Sequence, residues 1–322
     1  MTHLKHPLRV LTCALALAAS FNAHAWPTKP VRVIVPAAAG SAPDVAMRLI
    51  GTKMAELLKQ PVVVDNKVGA GGVVAYQSFQ TSKDDHTFLF AITSTTAIAP
   101  MTFKAAAGWD FTRDVQPVVR LAQTPLMIVA NPASGAKTLA DVLKLARDKP
   151  GQLAFATPGP NTLGHLAVAL TTQAANVQFN TIPFSRTADG MTAVAGGDAS
   201  FYVDGVSVVL PFVRGNRVQP IAVLSRTKLP GLEAYPLGRD TLDGLEVVGR
   251  FGLVTAKETP KPAVDAMVQA ATAALADPEV TAKLVQLGLY PQPGNSAEYL
   301  ATLQQESQLW NRVVRQAGIK AE

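Results

Sequence analysis

The 322-residue chain contains a single cysteine, Cys13, inside an apolar run near its N-terminus. Downstream of it there is no thiol to form a disulfide, attack a substrate or hold a metal. Histidine is almost as scarce: of five, only His86 and His165 lie beyond residue 25. With no H-E-x-x-H pattern and no G-x-S-x-G elbow, the parts of a secreted hydrolase are missing. No catalytic residue, metal site or cofactor is expected. Aromatic residues make up 6% of the chain, too few for a stacking surface for sugars. Basic residues outnumber acidic ones, 29 to 23, but they are scattered and not interleaved with aromatics, which argues against nucleic-acid binding. Long apolar runs are absent as well. Val10 to Ala19 is too short to span a bilayer, and no later stretch of that length lacks polar residues.

What is present begins with the three zones of an export signal. Lys5 and Arg9 supply the positive start, Val10 to Ala19 the apolar run, and Ala23-His24-Ala25 an A-x-A cleavage site. Cleavage after Ala25 and a periplasmic location are expected. Val10-Leu11-Thr12 before Cys13 make a poor lipoprotein processing site, so a lipid anchor is not. Loss of Lys5 and Arg9, with no acid beside them, lowers the formal net charge from +6 to +4. The remaining chain from Trp26 is long enough for about two domains.

Periodicity then predicts a mainly parallel α/β organisation. Val31 to Val35 reads as a strand covered on both faces. Ala46, Ile50, Met54 and Leu58 recur every fourth residue, with Met47 and Leu57 beside them, and Ser41 with Asp44 has capping-box spacing. Val62 to Val64, Gly72 to Phe79 and Thr87 to Ile92 continue as strand, helix, strand. Val118 to Ala122 and Leu126 to Ala130 read as two extended segments parted by Gln123-Thr124-Pro125, and the alternation restarts between residues 125 and 225. Pro262 to Leu275, Pro278 to Leu287 and Ala297 to Gln316 read as helices with no strands between them, covering the first sheet. The chain is therefore expected to cross twice between a lobe of residues 26–124 plus 226–322 and a lobe of residues 125–225.

Two strand-to-helix turns are rich in small residues: Ala38-Ala39-Gly40-Ser41 and Gly69-Ala70-Gly71-Gly72. Such turns let a ligand approach the main chain, where free N–H groups and a helix dipole favour an anion. An ordinary tight turn gives the same sequence.

Ordered blocks across the whole mature sequence resemble the Bug (TctC) family of exported solute receptors of tripartite tricarboxylate transporters. They include Trp26-Pro27-Thr28-Lys29-Pro30, Val35-Pro36, Asp44 with Arg48, and Val64 to Gly72; then Thr157-Pro158-Gly159, Gly164-His165, Ile182-Pro183-Phe184, Gly196-Gly197-Asp198, Ala276 to Val280 and Gln316-Ala317-Gly318. The resemblance implies a two-lobed type II periplasmic-binding-protein fold that closes on a small carboxylated molecule and hands it to membrane permease subunits. Three departures stand out: a turn glycine is missing at Ala38-Ala39, Lys67 replaces a frequent arginine, and Arg250 replaces a frequent aromatic before Phe251-Gly252.

Moving a carboxylate out of water costs several kcal/mol, whereas one helix end returns about 0.3 to 1 kcal/mol. Several donors must therefore converge. Candidates are the main chain at Ala39, Gly40, Ser41 and Gly69 to Gly72, the hydroxyls of Ser94 and Thr95, and the loop holding Thr157, Gly159, Asn161 and Thr162. Asp44 either caps its helix and pairs with Arg48 or faces the ligand. His165 is a structural partner or a pocket-edge group. Ser185, Arg186 and Thr187 either clamp an acid or cap a helix in solvent. Asp204, closing the strand Phe201 to Val203, either accepts a ligand amine or hydroxyl or caps the following helix. Arg250 is a second carboxylate partner or a solvent-facing charge. The expected protein is a monomeric receptor for a small organic acid; the alternatives are a receptor for a membrane sensor kinase and, weaker, a secreted hydrolase.

Overall fold

The computed structural model describes residues 26–82, 84–184 and 186–321. The expected export signal with Cys13, its expected cleavage site and Ser185 lie outside the described residues.

The first half of the fold forms where β-branched runs alternate with amphipathic helices. Strand β1 (Val31–Val35) pairs in parallel with β2 (Val62–Asn66) and β3 (Thr87–Ile92). Helix α1 (Ala42–Leu58) buries Ala46, Met47, Ile50 and Met54 against this sheet, each worth about 1.5–3 kcal/mol for the larger side chains, while Leu57 is exposed. The expected capping box at its start does not form, because Ser41 makes no side-chain cap and Asp44 turns to Gly40 instead. Helix α2 (Val73–Gln80) follows a tight 3-10 turn, and α3 (Ala99–Thr102) follows a π-helical turn over Ser94–Ile98.

A second parallel wing joins β5 (Ala154–Thr157) to β6 (Asn180–Pro183) and β7 (Phe201–Gly205). Around it pack α4 (Leu139–Asp148), α5 (Leu163–Ala175), α6 (Thr187–Gly196) and α7 (Val206–Arg214), with β8 (Gln219–Val223) beyond them. The parallel order expected from the alternation is thus present in both wings; the strands joining them are antiparallel.

The joining element is β4, a single 15-residue strand over Gln116–Ala130 and not two segments. Its first part pairs with β9 (Val248–Thr255) from Gln116 to Pro125, and from Leu126 it pairs with β7 and β8. Pro125, which suggested a break, stands where one ladder gives way to the next, a place where a missing N–H is tolerated. At about 3.3 Å per residue, β4 runs about 50 Å through both sheets.

The C-terminal part holds α8 (Lys261–Ala276), α9 (Pro278–Gln286) and α10 (Ser296–Gln316). A strand the sequence reading excluded, β10 (Tyr290–Gly294), lies between α9 and α10 and pairs with β4 despite its two prolines. The first two helices cover the first sheet, as expected. Helix α10 does more: Tyr299 and Leu303 pack beside the first sheet, whereas Trp310, Val313 and Val314 pack with Leu126, Phe155 and Leu166. Residues 226–247 also join the second sheet, through Leu232 and Leu237 on one face and Leu245 and Val247 on the other.

Candidate ligand cleft

A cavity of about 510 Å³ opens where the strands of both sheets end. Parallel strands deliver it: the segments after β1, β3, β5 and β7 all reach it, the side on which α/β sheets present ligands. Its wall is built from Pro36, Ala37 and Ser41 to Pro43; Ile92 to Ser94; Thr124 and Leu126; Pro158 and Thr162 to Gly164; Thr187; Asp204, Gly205, Ser207 and Val208; Val68, Gly249 and Phe251. Four helices, α1, α5, α6 and α7, start on this wall. Among the described residues lining it there is no Lys, Arg or His, and Asp204 is the one carboxylate. A separate concavity of about 560 Å³, between Trp26, Leu57 and α8, shares none of these residues.

The first small-residue turn spends its donors on itself. Gly40 N donates to Asp44 Oδ2 at 2.8 Å, and both the amide (3.1 Å) and hydroxyl (2.5 Å) of Ser41 donate to Ala38 O. Ala39 and Gly40 are exposed and lie off the cavity wall, contrary to the expected amide cradle. The turn contributes the beginning of α1 instead.

Asp44 explains why the turn holds its shape. Its buried carboxylate accepts Gly40 N, Arg48 Nε at 3.0 and 3.1 Å and Asn66 Nδ2 at 2.9 Å, while Asn66 also donates to Ala37 O. Burial pushes its pKa up, but the bonds from Arg48, Gly40 and Asn66 outweigh that and hold it below the usual carboxylate value. Asp44 is a clasp between the turn and β2, and it is absent from the wall.

Nor do the residues of Gly69 to Gly72 line the cavity; Val68 alone of that stretch does. Gly72 has φ 102°, and a Cβ there would lie 2.0 Å from Thr95 Oγ1. The glycine lets the loop settle on Thr95, whose hydroxyl donates to Gly71 O at 3.2 Å. Thr95 is consequently fully buried and unavailable to a ligand. Its neighbour Ser94 lines the cavity.

In the loop before α5, Thr162 lines the cavity and caps the helix, accepting His165 N at 3.3 Å and donating to Gly159 O at 2.9 Å. Asn161 N donates to His165 Nδ1 at 3.1 Å, which leaves the proton of the neutral ring on Nε2. His165 thus shapes the loop behind the wall. Thr157 Oγ1 and Asn161 Nδ2 are buried without a hydrogen-bond partner, the usual mark of a site completed by water or ligand.

Arg186 is not a clamp here: its side chain is 77% exposed, 3.8 Å from Asp189, and off the wall. Thr187, at the start of α6, does line it. Asp204 sits on the wall with Oδ2 accepting Tyr202 Oη at 2.9 Å and Oδ1 accepting Gly205 N at 2.7 Å. Burial pushes its pKa up to about 6, against the opposing pull of those two bonds.

Arg250 is neither distal to the cavity wall as a ligand partner nor solvent-facing. Its guanidinium bonds Glu306 at 3.2 Å and Glu246 at 3.3 Å, and its N–H donates to Thr93 Oγ1 at 2.9 Å. Thr93 in turn donates to Glu306 Oε1 at 2.8 Å, so a buried acid is tied to a cavity-lining hydroxyl. Burial raises the pKa of Glu306, opposed by Arg250 and Thr93. The sequence reading missed Glu306, Thr93, Thr124 and Ser207. Glu306 carried a signal, since it interrupts the buried stripe Tyr299, Leu303, Trp310, Val313 at helical spacing.

The sequence profile of the TctC family, the tripartite tricarboxylate transporter family receptors, matches residues 46–319. The chain belongs to this family. It is 31% identical over 301 residues to a UPF0065 protein from the tcbD-tcbE intergenic region of Pseudomonas sp. (strain P51), covering 92% of this chain and 89% of that one. A solved periplasmic transporter superposes with TM-score 0.82 at 27% identity, covering 92% of this chain and all of the other. MatC from Rhodopseudomonas palustris, solved with bound malate, gives TM-score 0.78 at 26% identity over 90% of this chain and 100% of its own. The fold is that of the periplasmic binding proteins, and the chain is a periplasmic solute receptor for a tripartite transporter. The family is one of receptors and not of enzymes. Among the described residues no helix is long and apolar enough to cross a membrane.

Proposed function

We propose that this receptor closes on a small carboxylic acid held by helix starts and hydroxyls, and delivers it to the membrane subunits of its transporter. One observation carries this reading: α1, α5, α6 and α7 begin on a single 510 Å³ cavity. A partly buried helix end contributes up to about 2 kcal/mol toward an anion, so four together match the several kcal/mol that desolvating a carboxylate costs. Ser94, Thr187 and Ser207 supply hydroxyls around the same space. The malate bound by MatC is a ligand of this chemical class.

Closure requires two lobes that can approach. The division supported by the packing assigns residues 26–124 and 248–321 to one and 125–247 to the other. We draw the second boundary near Val248, since residues 226–247 pack on the second sheet. The hinge comprises β4 near Pro125, the entry to β9, and α10, which packs on both sides. The mature receptor starts at Trp26 after cleavage of the export signal and works as a monomer without metal or cofactor.

Thermal denaturation against mono-, di- and tricarboxylates and aromatic acids tests the ligand class. At a hundredfold excess over Kd, binding adds about 2.7 kcal/mol, a shift of several degrees. No shift with any acid in the panel refutes the reading.

A further inference from the structure

We propose, resting on the carboxylic-acid reading above, that the acid bound in this cleft has a hydrocarbon body, an alkyl chain or an aromatic ring that bears no hydroxyl groups. The ligand class is then an alkyl or aryl acid, not a polyhydroxylated sugar acid.

The apolar side chains of the wall point to this. Val68, Ile92, Leu126, Leu163, Val208 and Phe251 line the cavity, and they come from both sheets and the loops and helices beside them. Val68 is 61% exposed, more than any other large apolar side chain among the described residues. Water against such a wall finds few partners. A ligand that covers the same surface with carbon gains about fourfold in affinity for each methylene it buries completely.

Most hydroxyls on the wall are already spent on the protein. Thr93 donates to Glu306 at 2.8 Å, Thr124 to Gly288 O at 3.0 Å, Thr162 to Gly159 O at 2.9 Å and Ser41 to Ala38 O at 2.5 Å. Ser94, Thr187 and Ser207 are left, and they stand with the helix starts that receive the acid group. A sugar acid carries a hydroxyl on nearly every carbon. Placed here, most of those groups would give up water and meet a methyl or a ring, and each such loss weakens binding.

The charged groups nearby serve the ends of the ligand and not its body. Asp204 lies two residues before α7, with Tyr202 Oη and Gly205 N already on its two oxygens, and belongs to the polar end with the helix starts. Arg186 precedes the wall residue Thr187, and its side chain is 77% exposed and 3.8 Å from Asp189. A second carboxylate that met Arg186 would sit in solvent, off the apolar wall. A diacid with a hydrocarbon body therefore fits the cleft as a monoacid does, and what the wall sorts is the carbon between the ends.

Calorimetric titration of the mature protein with matched acids tests this. The pairs are caproate with gluconate, adipate with galactarate and benzoate with quinate; within each, carbon skeletons and carboxylates correspond and the second member is hydroxylated along its body. The hydrocarbon acid is expected to bind about tenfold or more tighter in at least one pair, and the hydroxylated acid to be the tighter in none. Val68→Thr combined with Val208→Thr, which keeps the shape and makes the wall polar, should narrow that ratio by about threefold or more. A ratio below tenfold in every pair, a hydroxylated acid that binds tighter than its partner, or a ratio unchanged in the double variant overturns the inference and leaves the carboxylic-acid reading intact. So does failure of all three hydrocarbon acids to bind while another acid of the wider panel shifts the melting temperature. If no acid in either set binds, both fail. The wild-type ranking decides the matter even if the double variant does not fold.

Discussion

Replacing Arg250 by alanine should destabilise the protein by about 3 kcal/mol near pH 8 and by clearly less near pH 5. Glu306 has a side chain only 4% exposed, and Arg250 is its one ion-pair partner among the described residues. Removing one member of a buried pair leaves an uncompensated charge, which costs about 3–5 kcal/mol when the charge cannot escape. Glu306 can escape by taking a proton. Burial already raises its pKa above the ordinary 4.5 in the intact protein, and losing Arg250 raises it further. A raised carboxyl pKa gives stability that is fully present below the unfolded value and lost as pH climbs through the folded one. The penalty in Arg250→Ala must therefore grow as pH rises above about 4.5. Urea denaturation of both proteins from pH 5 to 8 measures it. A penalty below about 1 kcal/mol at pH 8, or one independent of pH, refutes the account. Ligand binding supplies an independent check. Because Arg250 reaches the cavity only through Thr93 and its backbone N–H, which alanine keeps, any change in affinity should be by the same factor for succinate and butyrate. A selective loss of the diacid would return Arg250 to the ligand.

Other consequences are equally direct. Gly72→Ala should cost about 2 kcal/mol or more, from a positive φ and a Cβ at 2.0 Å from Thr95 Oγ1; adding Thr95→Ala should recover part of this in urea denaturation. Asp44→Asn should cost about 1–3 kcal/mol at pH 7. Since the folded pKa of Asp44 lies below the ordinary 3.8, that difference should vanish as pH falls through the folded value, read from acid melting curves. Asp204 has the opposite sign. With its pKa near 6, Asp204→Asn should make the ligand-free protein more stable above pH 6, by up to about 3 kcal/mol, and change little below the ordinary 3.8. Arg186→Ala should leave ligand affinity within twofold by calorimetry, because that guanidinium is solvated.

Elements whose stability is local were legible from residue pattern. The runs at Val31–Val35 and Thr87–Ile92 and the stripe of Ala46, Ile50 and Met54 reveal their burial through period alone. Strands that owe their existence to distant partners were not. Pro125 disguised β4, and two prolines in Tyr290–Gly294 disguised β10, because the partner each accommodates lies far along the chain. Gly249 and Gly252 interrupt β9; at Gly252 a Cβ would sit 2.3 Å from Tyr299 Cζ, a packing requirement that no local pattern announces.

The cleft divides along the same line. Of the candidate residues, Ser41, Ser94, Thr162 and Asp204 line the cavity. Gly40, Gly72, Thr95 and Arg250 carry donors that suit an anion, but those donors are directed at other parts of the protein, and the Asp44 carboxylate is consumed in the same way. A donor is available to a ligand only if no nearer acceptor takes it, and the acceptors were Asp44 for the first turn and Glu306, 56 residues away, for Arg250. By itself, then, the sequence determined the family and the alternation that brings helix starts to one side of each sheet, because composition and period are local. Only the tertiary structure decided which polar groups were consumed in building the walls and which were left facing the cavity, because a hydrogen bond is settled by competition among groups that folding brings together.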